Sequence, residues 1–309
     1  MKRTAVILGI LLGILSLAVW AQAQTTTGQP AQTPPAAGQT APPAGTTPDA
    51  SATPAAKRPP QAKTQPEFDA WKAASAATDA PGLEKASDDF ATKFPDSELR
   101  VLLYKNAMRL YQNANNAEKT EAMGRKVLTF DADDPEALVT VAEVIAERTR
   151  DSDLDKDQRY GDAVAMAKKA TETVDTDVQV PTGTPQEKID AYKALLRSNA
   201  YSILGTIAYK KDDFVTAQDN LQKSIDAFPS NPDPVVVLRL ALAIDKQGTA
   251  ASGDQQAKLY AQALKVANRA VELTQENTAI GTPARSERDR LQKLTQSAGP
   301  AQAATPPKN

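Results

Sequence analysis

Residues 201 to 217 read "YSILGTIAYKKDDFVTA" and place a glycine, Gly205, inside an apolar pattern of helical period. Glycine costs about 1 kcal/mol relative to alanine in a helix interior, so another interaction must offset it. The nearest explanation is packing, because a residue without a side chain lets a second helix approach. The polar run KKDD ends the first pattern, and its last residue, Asp213, is a candidate N-cap for a second run over 214–228. The stretch predicts two helices joined by a tight turn.

Helical periodicity continues through most of the remaining sequence, and β-like patterns are nearly absent. The one short exception is "DVQVP" at 177–181, which lies in a connection. Several helix starts are marked by a capping residue before proline, at Asp134-Pro135, at Asn231-Pro232 and in the run Thr184 to Glu187. The sequence therefore predicts an all-α fold.

The stretch around Gly205 also has the residues of a known repeat. Tyr201, Leu204, Gly205, Ala217 and Pro229 fall at the spacings of the tetratricopeptide repeat, and residues 198–231 resemble one complete unit. The resemblance implies a helix-turn-helix of about 34 residues, in which the glycine and the alanine are the close-contact points of the two helices.

Weaker units flank the complete one. They cover 101–134, with Met108 in place of the glycine, then 135–148 with 160–170, and 232–248 with 260–270, the last two pairs being separated by longer turns. An N-terminal pair precedes them, and the amphipathic run at 286–294 would cap the far end. The repetition predicts an α-solenoid of about four to five hairpins with a C-terminal capping helix, and a generic helical bundle is the alternative.

The first 24 residues, "MKRTAVILGILLGILSLAVWAQAQ", combine two basic residues with an uncharged apolar run and an Ala-Gln-Ala sequence that ends at Ala23. This pattern predicts a secretory signal peptide over 1–23, cleaved after Ala23, and therefore a periplasmic or secreted protein. The alternative is an uncleaved membrane anchor, although the apolar run is shorter than the roughly 20 residues of a bilayer span.

Two segments are too poor in large apolar side chains to form a core. Residues 24–66 are rich in Pro, Thr, Ala and Gln, and they predict a disordered linker. Residues 297–309 have the same character and predict a disordered tail. The predicted folded body is therefore 67–296.

Composition excludes several kinds of chemistry. The 309 residues include no histidine and no cysteine, so Ser-His-Asp and Cys-His catalysis, His-ligated metals and disulfides are impossible, and no cofactor is expected. Paired carboxylates leave a glycosidase-like enzyme as an alternative, but Trp71 is the one tryptophan outside the signal segment, whereas sugar clefts depend on aromatic stacking. After residue 66 there are 31 basic and 37 acidic residues, which disfavours nucleic acid as a partner.

The sequence "DSDLDKDQRYGD" at 151–162 has carboxylates at the spacing of an EF-hand-like calcium loop. The five aspartates are Asp151, Asp153, Asp155, Asp157 and Asp162. Lys156 stands where such a loop has its turn glycine, and the last aspartate has a shorter arm than the usual bidentate glutamate. Two hypotheses stay open, a calcium site and a solvated turn whose aspartates cap the following helix.

In solenoids of this family the first helix of each pair lines the concave face, and the resemblance implies which residues point outward there. They are Lys105, Arg109, Gln112, Glu143, Glu147, Thr206, Tyr209 and Lys210. This row, mixed in charge, suits an extended peptide, and the alternative is a row of solvated side chains. Arg109 stands where some family members need asparagine to clamp a terminal carboxylate, so chaperone-tail binding is not predicted.

The sequence thus predicts a non-enzymatic secreted or periplasmic scaffold that binds a protein or peptide partner in the cell envelope. The alternatives are an envelope assembly subunit without a peptide groove and a carboxylate-dependent enzyme. Contact with a membrane is expected only if the signal segment is retained as an anchor.

Overall fold

The structure, a computed structural model, describes residues 57–181, 183–275 and 278–297, and these ranges contain eleven α-helices and no strand. The helices are α1 (Gln65–Ser75), α2 (Ala80–Lys93), α3 (Arg100–Asn113), α4 (Ala117–Phe130), α5 (Pro135–Arg148), α6 (Lys156–Thr173), α7 (Gln186–Lys210), α8 (Phe214–Ala227), α9 (Pro234–Ala250), α10 (Gly253–Glu272) and α11 (Gly281–Ser297). The predicted signal peptide, residues 24–56 of the predicted linker and the tail beyond Ser297 lie outside the described residues. None of the described helices is both long enough and apolar enough to cross a membrane.

Consecutive helices pack against one another and form the hairpins α1/α2, α3/α4, α5/α6, α7/α8 and α9/α10, with α11 closing the end against α10. First helices of neighbouring hairpins also touch, α1 with α3, α5 with α7 and α7 with α9. The turns within hairpins therefore lie along one edge of the stack, and the turns between hairpins lie along the other. The prediction of an all-α solenoid of hairpins with a capping helix is confirmed.

The hairpin α7/α8 has the geometry that the sequence predicts. A Cβ atom at Gly205 would lie 2.6 Å from Cγ of Leu221 and 3.0 Å from its backbone nitrogen, so the two helices meet closely at this glycine. Ala217 is completely buried in the same hairpin. The carboxylate of Asp213 accepts a hydrogen bond from the backbone nitrogen of Thr216 at 3.1 Å, which confirms the predicted N-cap.

Helix boundaries follow the sequence prediction in part. Helix α5 occupies the predicted range 135–148, and α7 begins at Gln186, well before the start of the complete repeat unit. Helix α9 begins at Pro234, two residues later than predicted. Helix α10 begins at Gly253, so most of the predicted insert before residue 260 is helical, and α6 likewise begins early, at Lys156. The chain reverses quickly before α10 because Gly253 adopts a positive φ of 59°.

Residues 57–63, named the strap here, run along the edge formed by the turns between hairpins. The linker prediction is wrong for this part, because the strap is held by charged and backbone contacts to the repeat body. The backbone nitrogen of Lys57 donates to the carbonyl of Thr176 at 2.8 Å, and Arg58 pairs with Glu98 at 2.5 Å. Helix α1 follows directly, with Thr64 as its N-cap.

Candidate protein-interaction surface

The eight residues predicted to point outward lie on three first helices, α3, α5 and α7. Their exposure differs from the prediction, because several of them connect one helix to the next instead of facing solvent. Lys105 and Thr206 are buried, and the outward orientation predicted for them is wrong. The tyrosine of the row, Tyr209, is half-buried and packs edge-on against Phe214, with ring centroids 5.4 Å apart.

Lys105 and Arg109 belong to a buried cluster of charges between α3 and the start of α5. The ammonium of Lys105 lies 2.7 Å from Oδ2 of Asp134 and 3.1 Å from Oε2 of Glu136. Two guanidinium nitrogens of Arg109 donate to the two oxygens of Glu136, each at 2.6 Å. Asp134 also caps α5 by accepting from the backbone nitrogen of Ala137 at 2.9 Å. The cluster therefore joins the second hairpin to the third.

The electrostatics of this cluster keep the carboxylate of Glu136 ionised. Burial alone would raise the pKa of Glu136, but the positive charges of Arg109 and Lys105 outweigh burial and hold it far below its ordinary value. The phenol of Tyr192 on α7 is buried beside the same carboxylate, and burial together with that negative charge raises its pKa. The charge network is a brace between helices, in which Lys105 is buried and the side chain of Arg109 is engaged by Glu136 while remaining 29% exposed.

Two further members of the predicted row also make contacts between helices. Nζ of Lys210 donates to the carbonyl of Ala146 at 2.6 Å, near the end of α5. The hydroxyl of Thr206 accepts a hydrogen bond from Arg239 of α9 at 2.7 Å. Cationic groups are favourable near helix C-termini, where carbonyls lack partners, so Lys210 stabilises the end of α5. Lys105 stabilises the beginning of α5 in a different way, by pairing with the carboxylates of Asp134 and Glu136.

The remaining members of the row are Gln112, Glu143 and Glu147. The first two are half-buried, and Glu147 is exposed at the end of α5. Glu147 also lines a recess at the end of α5.

The acidic run at 151–162 does not form an EF-hand-like loop. Helix α6 begins at Lys156, in the middle of the run, so Asp157 and Asp162 lie on the helix and cannot wrap around an ion with the earlier aspartates. Asp153 instead accepts a hydrogen bond from the backbone nitrogen of Arg150 at 2.8 Å. Within the described ranges no group of three or more acidic residues could hold a metal ion. The five aspartates therefore do not converge on one point in the structure, and the run forms the turn that leads into α6.

A polar recess of about 420 Å³ opens beside this turn and was not predicted from the sequence. Its lining residues are Glu147, Arg148, Arg150, Asp153 and Arg159. Arg159 is held in place because its Nε donates to the hydroxyl of Thr149 at 3.0 Å. Leu154, at the tip of the turn, is fully exposed. The recess therefore combines three guanidinium groups with two carboxylates, and an exposed apolar side chain follows Asp153 in the same turn.

The signal for this recess was present in the sequence as "ERTR" at 147–150, directly before the acidic run. It was missed because a pair of arginines at the end of a helix is ordinary on a solvated surface, where cations favour the C-terminus. The third arginine, Arg159, joins them only when α6 folds back against α5. Three-dimensional proximity, and not sequence spacing, defines this group.

No protein-family model and no curated protein matches the chain. Among solved structures, the crystal structure of the MamA protein matches with 19% identity over 67% of this chain and 98% of its own, at a TM-score of 0.36. A human IFIT1 dimer with m7Gppp-AAAA matches with 15% identity over 71% of this chain and 53% of its own, at a TM-score of 0.35. Identities and TM-scores this low carry no argument about the partners of this chain.

Proposed function

We propose that this protein is a non-enzymatic scaffold of the periplasm or the extracellular space, which binds a protein or peptide partner on its helical repeats. The observation that supports this proposal best is the arginine-lined recess at the turn between α5 and α6, which includes Glu147 of the predicted row. Stacked hairpins offer an extended surface for such a partner, and the recess offers it a fixed anchoring point.

The chemistry of the recess indicates the kind of segment that it would accept. Guanidinium groups bind carboxylates with two parallel hydrogen bonds, so Arg148, Arg150 and Arg159 suit a segment with acidic side chains. Within the part of the chain that the structure describes, the guanidiniums of Arg148 and Arg150 make no hydrogen bond or ion pair. Leu154, which is exposed in the same turn, would add an apolar contact. An acidic segment with one apolar side chain is the proposed partner.

The absence of catalysis is supported by the pKa values of the carboxyl groups. A glycosidase needs one carboxyl group whose pKa is raised, so that it can serve as an acid. Seven carboxyl groups instead have lowered pKa values, and they are Glu67, Glu84, Asp88, Glu98, Asp133, Glu136 and Asp213. Hydrogen bonds and nearby cations hold them ionised, as expected for structural ion pairs.

Charge reversal at the recess tests the proposal. Wild type, the variant Arg148→Glu with Arg150→Glu, and the control Arg125→Glu on α4 would each be used to capture partners from an envelope extract, followed by quantitative mass spectrometry. The captured amount of a partner that binds at the recess should fall at least tenfold with the double variant. It should stay unchanged with Arg125→Glu, which changes an exposed residue elsewhere. A protein captured equally by all three forms binds at another surface, and capture of none would favour the envelope assembly subunit.

The export part of the proposal has its own measurement. Mass spectrometry of protein recovered from the periplasm or medium should give an N-terminus at Gln24. A protein that retains Met1 and sediments with membranes would instead support the anchor.

A further inference from the structure

The strap crosses three successive turns between hairpins. These turns are residues 94–99 between α2 and α3, residues 131–134 between α4 and α5, and the connection that starts at Val174 between α6 and α7. The strap is covalently attached to the body only through α1, and it runs away from α1 toward the middle of the stack. An extended segment that contacts three repeats in this way has the geometry of a bound peptide ligand.

At the first turn, Glu98 is the main receptor for the strap. Its two carboxylate oxygens accept from the two terminal nitrogens of Arg58 at 2.8 and 2.5 Å, which is the bidentate arrangement. The same carboxylate accepts from the backbone nitrogen of Gln61 at 3.3 Å. Nζ of Lys63 donates to the carbonyl of Asp96 at 2.8 Å. Both side-chain charge and extended backbone are therefore recognised here.

At the second and third turns, Lys57 is the residue that is recognised. Its ammonium lies 2.5 Å from Oδ1 of Asp131 and 3.4 Å from Oδ1 of Asp177. Asp131 is buried and also accepts a hydrogen bond from Nε2 of Gln179 at 3.1 Å. Its carboxylate is therefore held in position by a contact that does not involve the strap. The backbone nitrogen of Lys57 is bound by Thr176 as well.

The strap leaves part of its receptor empty. A cavity of about 380 Å³ remains beside Pro60, and Val101 and Phe130 form its apolar wall. The guanidinium of Arg100 lies 4.3 Å from the ring centroid of Phe130, so this exposed ring is held in position. The acidic residues and this wall together are named the channel here. The channel is larger than the segment that occupies it.

We propose that the channel is a second protein-binding surface, which takes an extended segment of a partner carrying adjacent basic residues followed by proline, and that the strap occupies it until such a segment displaces it. The partner is defined by the chemistry of the strap itself, Lys-Arg-Pro-Pro at 57–60. Prolines favour the extended backbone, and the adjacent Lys and Arg match Asp131 and Glu98.

The strap can be displaced because its bidentate ion pair, between Arg58 and Glu98, is solvent-accessible. The side chains of Arg58 and Glu98 are 65% and 39% exposed, and exposed pairs of this kind contribute little stability and are screened by salt. The strap competes well with a free peptide because it is tethered to the body through α1. A short tether gives it an effective concentration on the order of millimolar. A free peptide of the same sequence should therefore bind weakly to wild type and much better once the strap is released.

The experiment uses full-length protein and a fluorescein-labelled synthetic peptide of residues 56–64, followed by fluorescence anisotropy. The variant Lys57→Glu with Arg58→Glu releases the strap, because each new carboxylate faces an acidic residue of the channel. It should bind the peptide at least tenfold more tightly than wild type. Adding Glu98→Gln should remove most of that gain, as should raising the salt concentration.

A matched control separates recognition from general attraction of a basic peptide to a more acidic protein. Lys85→Glu with Arg125→Glu changes the net charge by the same amount on exposed helix faces away from the channel, and it should bind the peptide no better than wild type. Thermal melts show that each variant is folded. If the released variant and this control bind equally, the strap is only an intramolecular brace and the proposal fails. If sedimentation shows that wild type dimerises and the released variant does not, the occupant is the strap of a second copy and the proposal is likewise overturned.

Discussion

At the scale of single residues, the close approach of the two helices in a hairpin is made in two opposite ways. In α7/α8 the first helix supplies Gly205 and the second supplies Leu221. In α3/α4 the corresponding positions are exchanged, because the first helix supplies Met108 and the second supplies Gly124, whose Cβ would lie 3.2 Å from the methionine sulfur and 2.5 Å from Cγ2 of Val141 on α5. One large and one absent side chain fill the same space in both hairpins. This explains how a unit without the expected glycine keeps the same helix packing.

The first prediction concerns Gly205. Gly205→Leu should lower the free energy of unfolding by about 1–3 kcal/mol, because the added side chain overlaps Leu221 and its backbone. Gly161→Ala in α6 is the matched control, since a Cβ there would meet nothing within 4 Å. This control should raise stability by about 0.5–1 kcal/mol through helix propensity. Thermal and urea melts measure both, and equal effects of the two substitutions would contradict a close crossing at Gly205.

At the scale of elements, helix α5 is bound at both ends by lysines from the neighbouring first helices. Lys105 of α3 pairs with the capping residue Asp134 and with Glu136 at its start, and Lys210 of α7 donates to the carbonyl of Ala146 near its end. These contacts link three hairpins through polar groups, in addition to their apolar packing.

The second prediction follows from the buried charges at the start of α5. Glu136→Gln should lower the free energy of unfolding at pH 7 by about 1–3 kcal/mol, because it removes the buried carboxylate that pairs with both Arg109 and Lys105. Glu121→Gln is the matched control, since it removes one partner of an exposed pair on α4 and should change stability by less than about 0.5 kcal/mol.

The same pair of proteins tests the pH dependence. The pKa of Glu136 is lowered in the folded state, so its contribution is complete above the pKa of the unfolded chain, about 4.3, and is lost progressively as the pH falls further. Between pH 7 and pH 3 wild type should therefore lose more stability than Glu136→Gln. Parallel losses in the two proteins would mean that other carboxylates cause the acid sensitivity.

The fold could be predicted from the sequence to the extent that it depends on local signals. The cap at Asp213, the crossing at Gly205 and the range 135–148 of α5 were all predictable, because glycine, proline and capping residues act within one turn of helix. The exposure of Lys105 was not, because its burial depends on Asp134, which belongs to the next repeat. Repeat spacing predicts the position of a side chain on its helix. Whether that side chain is buried or exposed depends on residues of the adjacent repeat.

The strap and the recess show the same limit. Residues 57–63 contain no large apolar side chain, and such a composition predicts disorder. They are ordered by carboxylates that come from turns far along the chain, such as Glu98 and Asp131. The recess likewise needs Arg159 to fold back beside Arg150. Contacts between distant polar residues leave no periodic pattern in the sequence.

At the scale of the whole molecule, the core consists of successive groups of buried side chains. One group belongs to α1–α4, the next to α5–α7, and the last to the end of α7 with α8–α11. In such a stack each hairpin is stabilised mainly by its neighbours, so the two ends can open independently. The strap adds polar contacts across the first three turns between hairpins.

The last prediction tests this division by hydrogen exchange. Leu291→Ala in α11 removes a completely buried side chain from the last group, and Leu83→Ala in α2 removes a buried side chain from the first. Each substitution should lower the free energy of unfolding of its own part of the stack by about 2–5 kcal/mol and leave the other part unchanged. Amide exchange in α9 and α10 should accelerate at least tenfold in Leu291→Ala while α3 stays protected, and the pattern should be reversed in Leu83→Ala. Acceleration of equal size along the whole chain in either variant would show that the solenoid opens as one unit, because only then does a cavity at one end weaken helices that it does not touch.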